Sequence, residues 1–500
     1  MVFTRAQQGM ESPEVVTEVH ASQGLPAFQI VGLPETAVRE SRERVRSAIL
    51  QAGFAFPARR ITVNLAPADL PKAGGRFDLA IAIGILAASS QVPADRLPEH
   101  EFFGELALSG RLRRVPALLP AVLAAHQAGR RSIVPHDCAG EVGLLPSATS
   151  LMASHLLEVA RFLRADQELE YAKTDEASAP DPTIEDLADV RGQHLARRAL
   201  EIAAAGGHNL LLIGPPGTGK TMLARRLPGL LSDLTDAEAV ECALIRSLAG
   251  ICTGRLDHRP PFRAPHHTAS AAAIVGGGKM PCPGEISLAH HGVLFMDELP
   301  EFARPVLEAL REPLESGRIS VTRVARSAVF PACFQLVAAM NPCPCGFAGD
   351  SQHECRCSPQ QIDRYQSRVS GPLLDRIDLV VPVQREAVDP FTPVQSSGRS
   401  TLEVRSRVER AVARQVSRRG LSNARLAGRT LHADAMLDSA GRALLSSAAH
   451  RLGLSARACD RILRVARTIA DLQGQPDVDS AAVSEALGLR LRSFGPSLAV

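Results

Sequence analysis

Apolar positions along this chain follow three regimes. Over residues 1–167, short runs of strand character, such as Ala27-Phe-Gln-Ile-Val31 and Ile61-Thr-Val-Asn-Leu65, alternate with helical stretches, Glu35 to Ala52 and Pro120 to Ala128. Residues 168–186 are polar and carry two prolines, which predicts a linker. From 187 to 385 the runs are short and almost wholly apolar, the signature of buried strands in an α/β domain: Leu210–Ile213, Val293–Met296, Gln335–Ala339 and Leu379–Val383. Residues 386–400, with two prolines and a Ser-Ser-Gly, predict a second linker. The remainder, 401–500, has helical periodicity and almost no strand signal. No self-similarity at a period of roughly 20–50 residues is visible, which excludes the common repeat architectures.

The middle block carries the sharpest chemistry. The run Asn209-Leu-Leu-Leu-Ile213 leads straight into Gly214-Pro215-Pro216-Gly217-Thr218-Gly219-Lys220-Thr221, and a helix-compatible stretch from Met222 to Leu231 follows. Strand, glycine-rich loop and helix in that order make a P-loop. Its glycines let backbone N–H groups curl round the β- and γ-phosphates of ATP, Lys220 neutralises charge, and Thr221 is placed to hold Mg²⁺. A second apolar run, Val293-Leu-Phe-Met296, ends in Asp297 and Glu298. Asp297 is expected to bind the Mg²⁺ through water, and Glu298 to orient the attacking water. A third run ends in Asn341, a polar residue where a γ-phosphate sensor is needed. P-loop, Asp-Glu strand and Asn strand, in this order, predict an AAA+ ATPase. Further along, Arg376 stands beside Asp375 and Asp378 and reads as an arginine finger that reaches a neighbouring subunit's γ-phosphate. Arg457, opening an amphipathic helix after Ser455, reads as the lid's nucleotide sensor.

Several stretches together resemble the YifB/ComM family of magnesium-chelatase-like AAA+ ATPases. They are Phe262-Arg-Ala-Pro-His-His-Thr-Ala-Ser270, Gly276-Gly-Gly278, Pro283-Gly-Glu-Ile-Ser-Leu-Ala-His290, Asp297-Glu-Leu-Pro-Glu-Phe302, Asn341-Pro-Cys-Pro-Cys-Gly346 and Gly371-Pro-Leu-Leu-Asp-Arg-Ile-Asp378. The resemblance covers nearly the whole chain. It implies an AAA+ core over 187–385 with a helical lid over 401–500, assembled as a homo-hexameric ring. It also implies a DNA helicase that promotes branch migration in natural transformation. The first block resembles the α+β proteolytic domain of Lon, with a difference at its centre. In Pro71-Lys-Ala-Gly-Gly-Arg76-Phe-Asp78, Arg76 stands where the family has its nucleophilic serine, and Leu119 falls at the partner lysine's position. Without hydroxyl and base there is no activated nucleophile. The expectation is a non-proteolytic domain used for assembly or for binding a partner.

Cys343-x-Cys345 and Cys355-x-Cys357 put four thiols within fifteen positions, enough to hold one structural Zn²⁺. The tight C-x-C spacing weakens the signal, and His353 is an alternative ligand. The pair His266-His267 is expected near the nucleotide pocket in a structural role. Two inserts are candidates for pore hairpins that grip DNA phosphates without reading sequence. One is Ala273 to Met280, with Lys279. The other is Arg318 to Arg326, whose alternation suits a hairpin and which offers Arg318, Arg323 and Arg326.

Composition adds limits. Apolar residues make up 45% and charged residues 22%, so the chain builds cores. It lacks an apolar run of about 18 residues and has no signal-peptide h-region, which points to the cytoplasm and away from a membrane. A net charge of +3 decides nothing about nucleic acid, and 4% aromatic content with no Trp argues against a stacking platform for single strands. Two outputs of ATP energy stay open at this level: DNA translocation, and protein remodelling of the magnesium-chelatase kind.

Overall fold

The period-two strands of the first block line up as one eight-stranded mixed sheet. The computed structural model describes residues 1–32, 36–145, 147–173, 185–252, 254–278, 281–323, 326–385 and 399–491. In spatial order the sheet runs Glu170–Tyr171, Ser150–Ala153, Arg131–Pro135, His100–Phe102, Val2–Arg5, Glu14–Ser22, Arg60–Ala66 and Ala27–Val31. Ile61, Val63 and Leu65 alternate inward from Arg60–Ala66 and join one apolar cluster with the helix Asp78–Ala88, most of whose length is buried. The polar segment expected to be a linker from 168 onward begins instead as the edge strand Glu170–Tyr171, antiparallel to Leu151 and Met152. An edge strand needs only backbone pairing on one side, so exposed polar side chains do not prevent it.

The second sheet has five strands, all parallel, in the order Phe262–Arg263, Val293–Met296, Gln335–Met340, Leu210–Ile213, Leu379–Pro382. Parallel strands covered on both faces are apolar throughout, and Leu210–Ile213, Val293–Met296 and Gln335–Met340 are buried at every position. Because every strand points the same way, the residues that follow Ile213, Met296 and Met340 emerge at one edge. That edge carries the site.

The C-terminal block is helical, with Thr401–Arg419, Gly428–Ala435, Ser439–Leu452, Ala456–Gln473 and Ser480–Leu491. It does not form a core of its own. Val404, Val408, Ile462 and Ile469 lie in the same apolar cluster as Leu200, Leu210 and Leu227 of the parallel-sheet domain. A buried polar chain fastens the join: His208 Nε2 to Thr468 Oγ1 at 2.8 Å, Asn423 Nδ2 to Thr468 Oγ1 at 3.1 Å and to Asp471 Oδ2 at 2.8 Å.

The N-terminal domain is docked on the parallel-sheet domain through Glu141. Its buried carboxylate accepts from the backbone N–H groups of Leu118 (3.1 Å) and Leu119 (3.4 Å), and from Ser247 Oγ (2.6 Å) on the helix Asp236–Leu248. Ala243 and Leu244 of that helix pack with Val115, Leu119 and Val142. Glu141→Ala strips three buried donors of their acceptor, a loss of about 1–3 kcal/mol for each group left unpaired. Amide hydrogen exchange at Leu118 and Leu119 should therefore quicken at least about tenfold. Unchanged exchange there would contradict the assigned role of this carboxylate.

Candidate nucleotide site and its surroundings

The P-loop turns between the strand Leu210–Ile213 and the helix Lys220–Leu230. Gly217 and Gly219 take left-handed backbone at φ +76° and +86°, a conformation that side chains disfavour. Gly214 passes so close to its neighbour strand that a Cβ there would lie 2.0 Å from the Val383 carbonyl oxygen. Lys220 is buried, and its ammonium donates to the carbonyls of Gly214 (2.7 Å) and Pro215 (2.8 Å) and to Asn341 Oδ1 (3.1 Å). Burial pushes the Lys220 pKa down to about 8, although Asp297 and Glu298 pull the other way. Thr221 Oγ1 donates to Asp297 Oδ2 at 2.7 Å. The structure thus brings together Lys220, Thr221, Asp297 and Asn341 at the carboxyl edge of the parallel sheet.

Glu298 is turned out of the strand by left-handed backbone at φ +53°. Its carboxylate lies 3.0 Å from His267 Nδ1. His267 packs edge-on to Phe302, with ring centroids 6.5 Å apart, and its ring lies 4.2 Å from that of His266. Sequence reasoning placed the histidine pair near the nucleotide pocket but missed the contact with Glu298. No signal in the sequence hinted at it, since the two residues lie far apart along the chain and meet through the strand order.

Arg376 and Arg457 are brought together, but away from the P-loop. Both line a cavity of about 630 Å³ with Asn209, Arg425, Arg461 and Asp460. Asn209 precedes the strand whose far end opens the P-loop, so the cavity lies at the opposite edge of the sheet. Four strand residues at about 3.3 Å each separate the two edges by roughly 13 Å. The expected lid sensor therefore does not face the P-loop of its own chain. The physical reason is that the helix Ala456–Gln473 packs against the helix His194–Gly206 through Ile462, Ala466 and Ile469, which carries its first turn to the amino edge of the sheet. In this position Arg376 pairs with Glu315 and donates to the Pro372 carbonyl at 2.6 Å.

The four cysteines converge. Sγ separations are 3.3 Å for Cys343 and Cys345, 3.7 Å for Cys343 and Cys355, and 3.6 Å for Cys345 and Cys355, with the Cys357 sulfur also within 4.8 Å of the others. Tetrahedral zinc with bonds of about 2.3 Å sets sulfurs about 3.8 Å apart, so the donor set fits that ion. The backbone N–H of Phe347, and then that of Arg356, draw the Cys345 thiol down to about 6. His353 is not among the converging donors: it stacks on Phe347 and pairs with Asp350 at 3.2 Å. The loop abuts the P-loop, since a Cβ on Gly346 would meet Pro216 Cδ at 2.7 Å.

Of the two inserts, Arg318–Arg323 and Arg326–Pro331 pair as an antiparallel ribbon in which Arg323 faces Arg326. Arg318 is exposed at its base. The other insert starts as the helix Ala271–Val275 and closes with a two-residue ladder between Gly276–Gly277 and Cys282–Pro283. Lys279 lies outside the described residues. In the N-terminal domain Lys72 and Arg76 are both buried. Arg76 donates to the carbonyls of Pro116 (2.7 Å) and Ala117 (3.2 Å) and to Gln7 Oε1 (3.3 Å), and burial lowers its pKa to about 10. Leu119 opens the helix Leu119–Gln127. Among the described residues no helix is long and apolar enough to cross a membrane.

Comparison with known proteins places this arrangement. Residues 186–390 match the family described as "Magnesium chelatase, subunit ChlI", residues 17–138 "Subunit ChlI of Mg-chelatase", and residues 398–490 "Magnesium chelatase, subunit ChlI C-terminal". Competence protein ComM of Haemophilus influenzae is 49% identical over 498 residues, which span 98% of this chain and 97% of the relative. YifB of Escherichia coli is 49% identical over 491 residues, 98% of this chain and 96% of its own. The magnesium-chelatase 67 kDa subunit of Chlorobaculum parvum is 28% identical over 210 residues, 41% of this chain and 26% of that subunit. The chain belongs to the ComM/YifB family of magnesium-chelatase-like AAA+ proteins.

Proposed function

We propose that this chain is an ATP-hydrolysing, cytoplasmic ring motor that acts on DNA and promotes branch migration during recombination in natural transformation. The reading rests on the convergence of Lys220, Thr221, Asp297, Glu298 and Asn341 at one sheet edge. Its DNA substrate rests on the likeness to Competence protein ComM. When ATP binds, Lys220 exchanges loop carbonyls for phosphate oxygens, and the N–H groups of the loop and of the helix Lys220–Leu230 face the same charge. Thr221 and Asp297 would hold Mg²⁺, which supplies charge neutralisation at the phosphates. Glu298 orients the attacking water and Asn341 contacts the γ-phosphate. Arg376 and Arg457, at the far edge, serve the nucleotide of an adjacent subunit in a homo-hexamer. Lys279, Arg318, Arg323 and Arg326 grip DNA phosphates from the pore, in branched or single-stranded DNA of any sequence. The N-terminal domain is Lon-like and non-proteolytic, because Arg76 offers no nucleophile. Cys343, Cys345, Cys355 and Cys357 hold a structural Zn²⁺ that closes the loop behind Asn341.

Lys220→Ala should abolish nucleotide binding. Glu298→Gln should bind ATP yet lose at least about a hundredfold in turnover; wild-type hydrolysis in that variant would overturn the site assignment. The pH dependence has a definite sign. Phosphate binds the charged Lys220, whose pKa in the free protein is about 8. Affinity for ATP should therefore be flat below pH 8 and fall by up to about tenfold per unit above it. Equilibrium titrations from pH 6.5 to 9.5 check this.

Forked DNA should stimulate hydrolysis in the wild type. Replacing Lys279, Arg323 and Arg326 with Ala should remove that stimulation and spare the basal rate. Each lost phosphate contact should flatten the log–log salt dependence of duplex binding by roughly one unit. The matches to magnesium-chelatase subunits along the chain favour one other reading, a protein-remodelling motor, which forecasts equal rates with and without DNA in both proteins. Metal analysis should find about one zinc per chain, lost when Cys343 and Cys355 become Ser. A folded, metal-free wild type rules the zinc site out.

A further inference from the structure

The guanidinium of Arg376 is placed by weak means. Its ion pair is with Glu315, whose side chain is 63% exposed, and exposed pairs fix little. Its backbone is held far better. Asn209 Nδ2 donates to the Arg376 carbonyl at 2.8 Å, while Asn209 Oδ1 accepts from the Leu336 N–H at 2.8 Å. The main chain of Asn209 adds more: its N–H donates to Asp378 Oδ2 at 3.2 Å, and its carbonyl accepts from the N–H groups of Asp378 (3.1 Å) and Leu379 (3.0 Å). One residue therefore grips the segment that carries Arg376 and the strand that ends in Asn341. It also begins the strand that ends in the P-loop.

An asparagine suits this post because its amide carries a donating NH₂ and an accepting oxygen on a short stem, and both groups are used. The strand between is stiff. Leu210–Ile213 is buried and paired on both sides, with Gln335–Met340 and with Leu379–Pro382. At its far end the same three strands are tied again, by Gly214 N–H to the Met340 carbonyl (3.2 Å) and Val383 N–H to the Ile213 carbonyl (2.7 Å).

We propose that Asn209 is a positioning residue of the ATPase cycle: its side-chain amide sets Arg376 in register with the strand that carries the chain's own P-loop. A shift of that strand when nucleotide binds is then passed to the finger offered to the next subunit. The proposal rests on Arg376 acting across a subunit interface. Asn209 stands at the amino edge of the sheet, away from the P-loop, and acts through the segment that carries Arg376.

The test uses the full-length protein. Asn209→Asp keeps the acceptor for Leu336 N–H and sets a carboxylate oxygen against the Arg376 carbonyl. Asn209→Ala removes the amide without adding charge. Either variant should keep ATP affinity within about twofold of wild type while turnover falls at least about tenfold, the cost of a misplaced catalytic group. Mixed one to one with Lys220→Ala subunits, the Asn209 variant should recover turnover above the mean of the two parents. Its intact P-loops then face the well-placed Arg376 of the other subunits, and a general folding defect gives no such recovery. Arg376→Ala mixed with Lys220→Ala is the reference. If that mixture recovers and the Asn209 mixture does not, the positioning role is overturned and the interface reading stands. If the reference mixture fails, the interface reading falls and takes the proposal with it. Wild-type turnover, lost ATP affinity, or failure of both Asn209 variants to fold each overturn the positioning role.

Discussion

Backbone N–H groups that converge without paired carbonyls attract phosphate, and in this chain they do so at the turn from Gly214 to Thr221. Everything around the turn follows from making it. The strand before it is four apolar residues buried on every side, because only a rigid support holds a loop whose glycines sit at positive φ. Gly214 must pass within contact of Val383, which rules out any side chain at that position. Lys220 is buried among carbonyls and Asn341 until phosphate arrives. A cation so placed is costly unless oxygens surround it, and the Gly214 and Pro215 carbonyls with Asn341 Oδ1 supply them.

Parallel topology then divides the chemistry in two. All five strands end at the edge that carries Lys220, Asp297 and Asn341, and all begin at the edge that carries Arg376. With the sheet between them, the two sets cannot meet on one phosphate within a chain. In the cavity at the amino edge Arg376 pairs with Glu315 and the Pro372 carbonyl, Arg461 with Asp375, and Arg464 with the Leu426 carbonyl. The proposed ring answers that division, because each amino edge would face the carboxyl edge of the next subunit. The C-terminal helices contribute to that edge because they share a core with the sheet domain.

Local patterns made much of this legible. The P-loop, the Asp-Glu strand end and the Asn341 strand end are each contiguous in sequence, and each was readable because its chemistry and its secondary structure coincide over a few residues. The ribbon from Arg318 to Pro331 was readable from alternation, and the four cysteines from spacing. What was hidden depends on contacts between distant segments. The approach of His267 to Glu298 follows from strand order. The clamp of Glu141 on Ser247 needs the docking of two domains. The company of Arg457 with Arg376 needs the lid's packing angle. The edge strand Glu170–Tyr171 was masked by its polarity, since a strand paired on one side only need not be apolar.

The N-terminal domain shows how a position with no nucleophile can still be constrained. Arg76 donates to Pro116, Ala117 and Gln7, so it ties together three segments of its own domain. Beside it lies a cavity of about 210 Å³, whose wall includes Pro281 and Cys282 of the first insert. Gly9 of the same domain is seated against Ala328 of the other insert, where a Cβ on Gly9 would lie 2.9 Å from the Ala328 side chain. Gly276 of the first insert lies against Val321 of the second. The second insert therefore touches the N-terminal domain, and the first touches the second and shares a cavity wall with that domain. Tight packing transmits a displacement rather than absorbing it, so a movement of either insert during a nucleotide cycle must be accommodated by a domain that Glu141 anchors to the helix Asp236–Leu248.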